Sequence, residues 1–170
     1  LAAGYGALSG VVTKNSLFKN SHKRRGQIFY SNTHQGHSLS VAAALECQTI
    51  INNPYFLKSV YDKGNLLREY LISEMSNHDF FINVRGRGLR NSFEYKCEDQ
   101  NLFGNLLKKI LFDKHKILID SKWHRICFSP ALIISKKEIL KNLEIVCKEF
   151  KSLSNRWTNL NKKKLKFKYF

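Results

Sequence analysis

Apolar residues recur at helical spacing in four stretches of the chain. The first, SVAAALECQTII from Ser40, is rich in Ala and Leu throughout, which is typical of a helix packed closely on both sides. Ser38 or Ser40 is expected to cap its start, and Asn53 should end it because the residue before Pro avoids helical geometry. A second helix follows Pro54 and is weakened locally by Gly64. Its predicted apolar face consists of Leu57, Val60, Tyr61, Leu67, Leu71 and Met75.

From Phe80 the pattern changes to an alternation of apolar and polar positions. The segments FFINV and LRNSFEY therefore predict two strands around the glycines of RGRG. Since a GxGxxG phosphate loop needs a helix after its glycines, VRGRGL at 84–89 is better interpreted as a tight turn between strands. Arg85, Arg87 and Arg90 are then solvated or paired with acids. The predicted faces of the second strand are Leu89, Phe93 and Tyr95 on one side and Arg90, Ser92, Glu94 and Lys96 on the other.

Residues 102–116 return to helical spacing, and ILID and RICFS predict two short strands after them. Ser135 and Glu138 have the spacing of a capping box, which predicts the start of a last helix that runs through Phe150. The stretch from Phe80 to Phe150 is therefore predicted to be α+β, a small sheet with helices on one face. The chain after Ser152 shows no clear period.

The chain before the first of these helices predicts less regular structure. A glycine-rich loop is followed by a short apolar strand at Leu8 to Val12 and then by a polar, exposed stretch at 13–27. A second short strand, IFYSN, leads into the loop Thr33-His34-Gln35-Gly36-His37 directly before the helix.

That loop is the most informative candidate site. A hydroxyl at Thr33 and a turn at Gly36, directly before a helix start, present backbone N–H groups and the positive end of the helix dipole, which suits a phosphate or carboxylate. An ordinary helix cap after a tight turn would explain the same residues. His34 and His37 are three positions apart, but no acidic residue or Cys lies at matching spacing, so no metal site is predicted.

Arg125 is a second candidate, because it lies directly before a strand that ends near Pro130. A planar guanidinium suits a substrate carboxylate. The alternative is an ordinary surface arginine at the edge of a strand, which the residues alone slightly favour.

Charge introduces another class of partner. The 170 residues include 29 Lys and Arg against 13 Asp and Glu, and the formal net charge of +16 would suit nucleic acid or an anionic surface. The basic residues are spread among the apolar positions, however, and the one true cluster is NKKKLKFKYF at 161–170. The joint abundance of Lys, Asn, Ile and Phe is also what AT-rich codons produce, so nucleic acid is the least favoured partner.

The cysteines and the apolar runs together indicate the cellular compartment of the protein. Cys47, Cys97, Cys127 and Cys147 are scattered without a CxxC pair, which predicts free thiols in a reducing compartment such as the cytoplasm. No apolar run is long enough to span a membrane, so no membrane partner is expected.

Four motifs, taken in chain order, resemble the class III pyridoxal-phosphate-dependent aminotransferases. LAAGYGALSGVV is similar to the segment that follows the catalytic Lys in that family, and SNTHQGHSLSVAAALE to its Gly-x-Thr-Tyr-x-Gly-His-Pro-x-x-x-Ala-Ala-Ala-Leu stretch. VRGRGLRNSFEY and ICFSPALIISKKEI resemble two stretches of its C-terminal domain. The resemblance runs from Leu1 to about Phe150, and the correct order of all four motifs makes it specific.

The resemblance implies an α/β fold in which residues 1–53 are the end of the large PLP-dependent transferase domain of fold type I. Residues 54–152 would be a small α+β C-terminal domain and 153–170 a basic tail. The Schiff-base Lys would lie just upstream of Leu1, so the chain is expected to be a fragment that contains no catalytic residue. Thr33 would bind the phosphate of the cofactor, pyridoxal 5'-phosphate (PLP), across a homodimer with shared active sites. Gly36 and His37 match pattern positions and would shape the turn.

One departure from the family pattern concerns the substrate. Cys127 stands where several members carry a carboxylate-binding Arg, and Arg125 lies two residues earlier on the same strand face, so it is the substrate-binding candidate. The implied activity is a transaminase that moves an amino group between an amine or amino acid and a keto acid, with no amine donor assigned. The alternatives are an inactive truncated remnant or dimerisation module of the same fold, and a basic nucleic-acid-binding domain.

Overall fold

The computed structural model describes residues 1–25 and 33–157, which belong to two compact units. The first unit is Leu1–Leu57 and the second begins at Lys58. Within the described ranges, no helix is both long enough and apolar enough to cross a membrane. In chain order the elements are α1 Asn15–Arg25, α2 Ser38–Ile51, α3 Pro54–Met75, β1 Phe81–Arg87, β2 Arg90–Tyr95, α4 Gln100–His115, β3 Asp120–Lys122, β4 Arg125–Phe128 and α5 Lys136–Trp157.

The N-terminal segment is more helical than its sequence predicts. The polar stretch at 13–27 contains α1, and the described side chains of this helix are exposed, as expected. The predicted strand at Leu8 to Val12 is wrong, because this segment is irregular. Val11 and Val12 lie exposed, and no strand of the described part of this unit pairs with them, although a strand needs such a partner for its backbone hydrogen bonds. The predicted strand IFYSN lies outside the described residues.

The next two predicted helices are confirmed, together with the break between them. α2 starts where the sequence predicts, but His37 caps it rather than a serine, since His37 Nδ1 accepts a hydrogen bond of 3.4 Å from the backbone N of Ser40. Asn53 caps α3, because its side-chain oxygen accepts from the backbone N of Tyr55 at 2.9 Å. Pro54 suits the first helical position because it has no backbone N–H to leave unpaired.

The second unit contains a four-stranded antiparallel sheet in the order β1-β2-β4-β3. β1 and β2 confirm the predicted pair of strands and the tight turn between them. β3 begins at Asp120 rather than Ile117, because the end of α4 uses the preceding residues. Lys116 adopts a left-handed backbone with φ 58°, and its own backbone N donates to Phe112 O at 3.0 Å, which is the αL closure of a helix.

Helices cover one face of this sheet, as predicted. Val84, Phe93 and Ile126 are cross-strand partners in one row, and all three are buried in a core with residues of α3, α4 and α5. Phe150 of α5 lies within this core, and its ring centroid is 5.0 Å from that of Phe103 and 5.1 Å from that of Phe93. The opposite face of the sheet carries the polar side chains.

The last helix begins as predicted but ends later. The capping box is formed, because the hydroxyl and backbone N of Ser135 donate to the Glu138 carboxylate at 2.6 and 3.0 Å, which lowers the pKa of Glu138. α5 continues to Trp157, past the predicted start of the basic tail at residue 153. Leu153 and Trp157 are buried, so tertiary packing extends the helix. Residues 158–170 lie outside the described structure.

Candidate functional site

The loop that carries Thr33 lies at the N-terminus of α2. Residues 33–36 form a turn, and the backbone N of His37 donates to His34 O at 3.3 Å. Thr33 is exposed, and the first turn of α2 contains no acidic residue. Because a helix start carries partial positive charge and backbone N–H groups, this end of α2 favours an anion.

A second sequence motif packs against the same end of α2. Gly6 approaches Ser40 so closely that a Cβ on Gly6 would lie 2.8 Å from Ser40 Oγ and 2.9 Å from Ser40 Cα. Near the other end of α2, Gln48 Nε2 donates to Leu1 O at 3.4 Å. The first unit therefore brings together LAAGYG and THQGHS, and a side chain at position 6 would displace the start of α2.

Arg125, the second predicted site residue, lies in the second unit at the start of β4. It is the cross-strand partner of Glu94 on β2, and its guanidinium lies 5.9 Å from the centroid of the Trp123 ring. Its Nε is buried and has no hydrogen-bond partner among the described residues. Cys127 lies on the same strand face, with its Sγ 3.6 Å from Ser92 Oγ. Arg125 thus has one donor that no described residue uses.

The open face of the sheet forms a groove around this residue. Its volume is about 510 Å³. We call it the arginine groove; the side chains that line it belong to Arg85, Arg87, Arg90, Ser92, Glu94 and Arg125. The alternation of residues along β2 correctly predicted that Arg90, Ser92 and Glu94 lie on the polar face. It did not indicate that β4 would add Arg125 to the three arginines of the hairpin.

Glu94 is the residue of this groove whose burial the sequence analysis missed. It lies on the predicted polar face, yet it is buried. It forms an ion pair with Arg85, which agrees with the prediction that these arginines are solvated or paired with acids. His124 Nε2 lies 3.8 Å from the same carboxylate. A buried carboxylate needs such partners because its desolvation is costly. The available signal was that Glu94 is the only acidic residue in its strand.

α3 fixes the position of the hairpin that carries three of these arginines. Gly64 lies against the turn, and a Cβ on Gly64 would be 2.0 Å from Gly88 O. Arg68 donates to Asn91 Oδ1 at 3.0 Å, and Asn91 Nδ2 donates to Gly88 O at 2.8 Å. Gly64 is therefore a point of close approach, whereas the sequence marked it only as a local weakness of the helix.

Comparison with known proteins agrees with the four motifs. A family model described as aminotransferase class-III matches residues 1–150. The chain belongs to the class-III aminotransferase family. The resemblance seen in the sequence is confirmed by this match.

Curated relatives of this class-III aminotransferase chain are only partly covered by it. An acetylornithine/succinyldiaminopimelate aminotransferase of Photorhabdus laumondii is 29% identical over 115 residues, which are 68% of this chain and 28% of the relative. An acetylornithine aminotransferase of Caldanaerobacter subterraneus is 30% identical over 118 residues, which are 69% of this chain and 29% of the relative. The chain thus spans less than a third of the length of these relatives.

Solved structures agree at the level of the fold. A transaminase from the marine bacterium Virgibacillus matches 83% of this chain and 35% of its own with a TM-score of 0.72 and 21% identity. This likeness supports the α/β class with a small antiparallel sheet. The proposed roles of Thr33 and Arg125 remain predictions. Within residues 1–25 and 33–157, no cluster of side chains suits a metal ion.

Proposed function

We propose that this chain is the C-terminal part of a PLP-dependent transaminase that moves an amino group between an amine or amino acid and a keto acid. The observation that carries the proposal is the class-III aminotransferase match over residues 1–150. The proposal includes a parent polypeptide whose Schiff-base Lys lies just upstream of Leu1. The short coverage of the relatives, 28% and 29% of their lengths, supports such a parent.

Thr33 is the residue of this chain proposed to hold the cofactor. When bound, PLP supplies an electron sink for bonds at the amine carbon, and the protein supplies orientation and charge. An exposed hydroxyl at Thr33 and an α2 start without acidic side chains fit a phosphate group. Gly36 and His37 shape this turn.

The proposal includes a homodimer with shared active sites. α2 is apolar over most of its length, yet only Ser40 and Ala44 are buried in it. Leu39, Leu45 and Ile50 are 76, 66 and 58% exposed. A helix that is apolar on several sides is normally covered by protein, so we assign these side chains to contacts with the rest of the parent and its partner subunit.

A cytoplasmic location completes the proposal. Cytosolic conditions keep thiols reduced, which suits a chain with four cysteines and no disulfide within its described ranges. Cys147 is buried, and burial raises the pKa of its thiol to about 12, so it stays protonated and packs as a small apolar side chain.

Replacing Thr33 in the PLP-loaded parent tests the cofactor assignment. Thr33→Ala removes one hydrogen bond to a charged phosphate, which is expected to weaken PLP retention about tenfold. Near-visible absorption after dialysis against PLP-free buffer measures the bound fraction. Thr13→Ala is the matched control, because Thr13 is also exposed in the first unit but lies outside the loop.

Two results would count against these proposals. Equal retention by Thr33→Ala and Thr13→Ala would remove Thr33 from the site. A purified parent that shows no near-visible absorption with added PLP would instead favour a non-catalytic module of the same fold.

Arg125 is proposed to bind the carboxylate of the substrate. Its buried, unpartnered Nε and its place on the strand face of Cys127 support this role. The matched relatives are named for acetylornithine, a carboxylate-bearing amine, and a donor of that class is proposed here. Arg125→Gln in the parent should raise KM for a carboxylate-bearing amine about tenfold and leave kcat nearly unchanged.

An amine without a carboxylate provides the control for this variant. Its KM should be the same for Arg125→Gln and the unmodified parent, because the lost contact is absent in both. If KM rises equally for both amines, Arg125 supports the structure and does not contact the carboxylate.

A further inference from the structure

We propose that the arginine groove binds a small phosphate-class polyanion, a ligand with at least two negative charges. All of its lining residues belong to the second unit. The inference shares Arg125 with the transaminase proposal but does not rest on it, since the tested residues are Arg87 and Arg90 and binding can be measured with this chain in the absence of PLP.

The strand register brings the arginines onto one face. Arg87 and Arg90 are direct cross-strand partners that close the β1–β2 hairpin. Arg85 lies two residues before Arg87 on the same face of β1, because side chains alternate along a strand. Arg125 enters from β4, opposite Glu94 on β2. Four guanidinium groups from three strands therefore share the open face of the sheet.

The described residues leave this positive charge largely uncompensated. Glu94 is the only carboxylate in the lining, and Arg85 already pairs with it. Residues 26–32 and 158–170 contain no Asp or Glu, so those parts of the chain have no carboxylate to offer. Arg87, Arg90 and Arg125 thus add net positive charge in a groove that contains one paired acid.

The facing arginines indicate what the groove requires. Like charges directly opposite each other on neighbouring strands destabilise a sheet. Arg87 and Arg90 are in this unfavourable arrangement, directly next to the turn of the hairpin. An anion between them would convert the repulsion into two charge-assisted hydrogen bonds, which are stronger than neutral ones.

The remaining donors favour phosphate over a single carboxylate. Ser92 adds a hydroxyl donor to the lining, beside the guanidinium groups of Arg87 and Arg90. A guanidinium fork matches the oxygens of a phosphate, and a phosphate group carries more charge than a carboxylate. The volume of about 510 Å³ is of the size that accommodates small-molecule ligands.

A calorimetric titration of the full chain with inorganic pyrophosphate tests the proposal. Arg87→Gln and Arg90→Gln should each weaken binding about tenfold, because each removes one charge-assisted contact. Arg90→Lys keeps the charge but loses the guanidinium fork, so its affinity for pyrophosphate should lie between that of the unmodified chain and that of Arg90→Gln. Arg156→Gln is the matched control, since Arg156 is exposed on α5 outside the groove and the charge change is identical.

A thermal scan separates binding from folding. Without pyrophosphate, Arg87→Gln and Arg90→Gln should unfold at the same temperature as the unmodified chain or higher, because the like-charge pair is removed. Pyrophosphate should raise the unfolding temperature of the unmodified chain and of Arg156→Gln, and raise that of the groove variants less.

Three results would overturn the proposal. One is a chain that gives no binding signal with pyrophosphate. Another is an equal loss of binding in Arg156→Gln and the groove variants, which would mean attraction by net charge alone. The third is a poly-Glu peptide that displaces pyrophosphate and binds more tightly, which would make the groove a docking surface for an acidic protein segment.

Discussion

Phe150→Ala should lower the free energy of unfolding by about 3–5 kcal/mol, the usual cost of removing a large aromatic side chain from a core. Phe150 is only 1% exposed. Its ring also lies 5.4 Å from that of His78 and 5.5 Å from that of Tyr95, so the cavity would open within an aromatic cluster that connects α5 to the sheet. The cluster has little freedom to collapse, because its rings also pack on one another.

Tryptophan fluorescence during denaturant unfolding measures this loss. Both tryptophans, Trp123 and Trp157, lie in the second unit, so the signal reports on the unit that contains Phe150. Phe112→Ala is the matched control, since Phe112 is 47% exposed on α4 and its removal should cost about 1 kcal/mol or less. Equal losses in the two variants would show that the aromatic cluster is not the centre of the core.

Gly64→Ala is expected to destabilise the chain, although Ala is the better helix former. Helix propensity alone would make the change stabilising by about 1 kcal/mol. The new Cβ would lie 2.0 Å from Gly88 O, which is a backbone atom that cannot move aside independently of the hairpin. Forcing α3 and the hairpin apart should cost about 1–3 kcal/mol beyond that gain, so the sign of the effect reverses.

The sign of the change makes this prediction easy to test. The same fluorescence transition should shift to lower denaturant for Gly64→Ala. Ser73→Ala is the matched control, because Ser73 is exposed on the same helix, so the change raises helix propensity there without a close backbone contact. A more stable Gly64→Ala variant would mean that the close approach of α3 to Gly88 is absent.

Much of the fold could be predicted from the sequence, because burial on one side of an element leaves a period in the residue order. The apolar spacing of α3, α4 and α5 predicted these helices, and the spacing of Ser135 and Glu138 predicted where α5 starts. α1 could not be predicted in this way, because it is exposed and has no apolar period to read. β3 starts later than predicted because the closure of α4 at Lys116 uses the preceding residues. A lysine gives no sign in the sequence that its backbone will be left-handed.

The candidate site was predictable only where it is local. Thr33 and α2 are neighbours in the sequence, so the loop could be read directly as a motif. The arginine groove could not, because Arg125 faces Glu94 only through the pairing of β2 with β4, and that register depends on long-range packing. The burial of Glu94 follows from the same pairing and was missed for the same reason.

The strand order β1-β2-β4-β3 also bears on how the second unit forms. β1 and β2 adjoin in sequence, so their hairpin closes a short loop and should form early. β4 joins β2 only after α4 and β3 have intervened, which makes that contact non-local and slower to form. During synthesis, Arg87 and Arg90 should therefore be opposed before Arg125 has left the ribosome. The hairpin must tolerate that repulsion on its own until the rest of the sheet assembles.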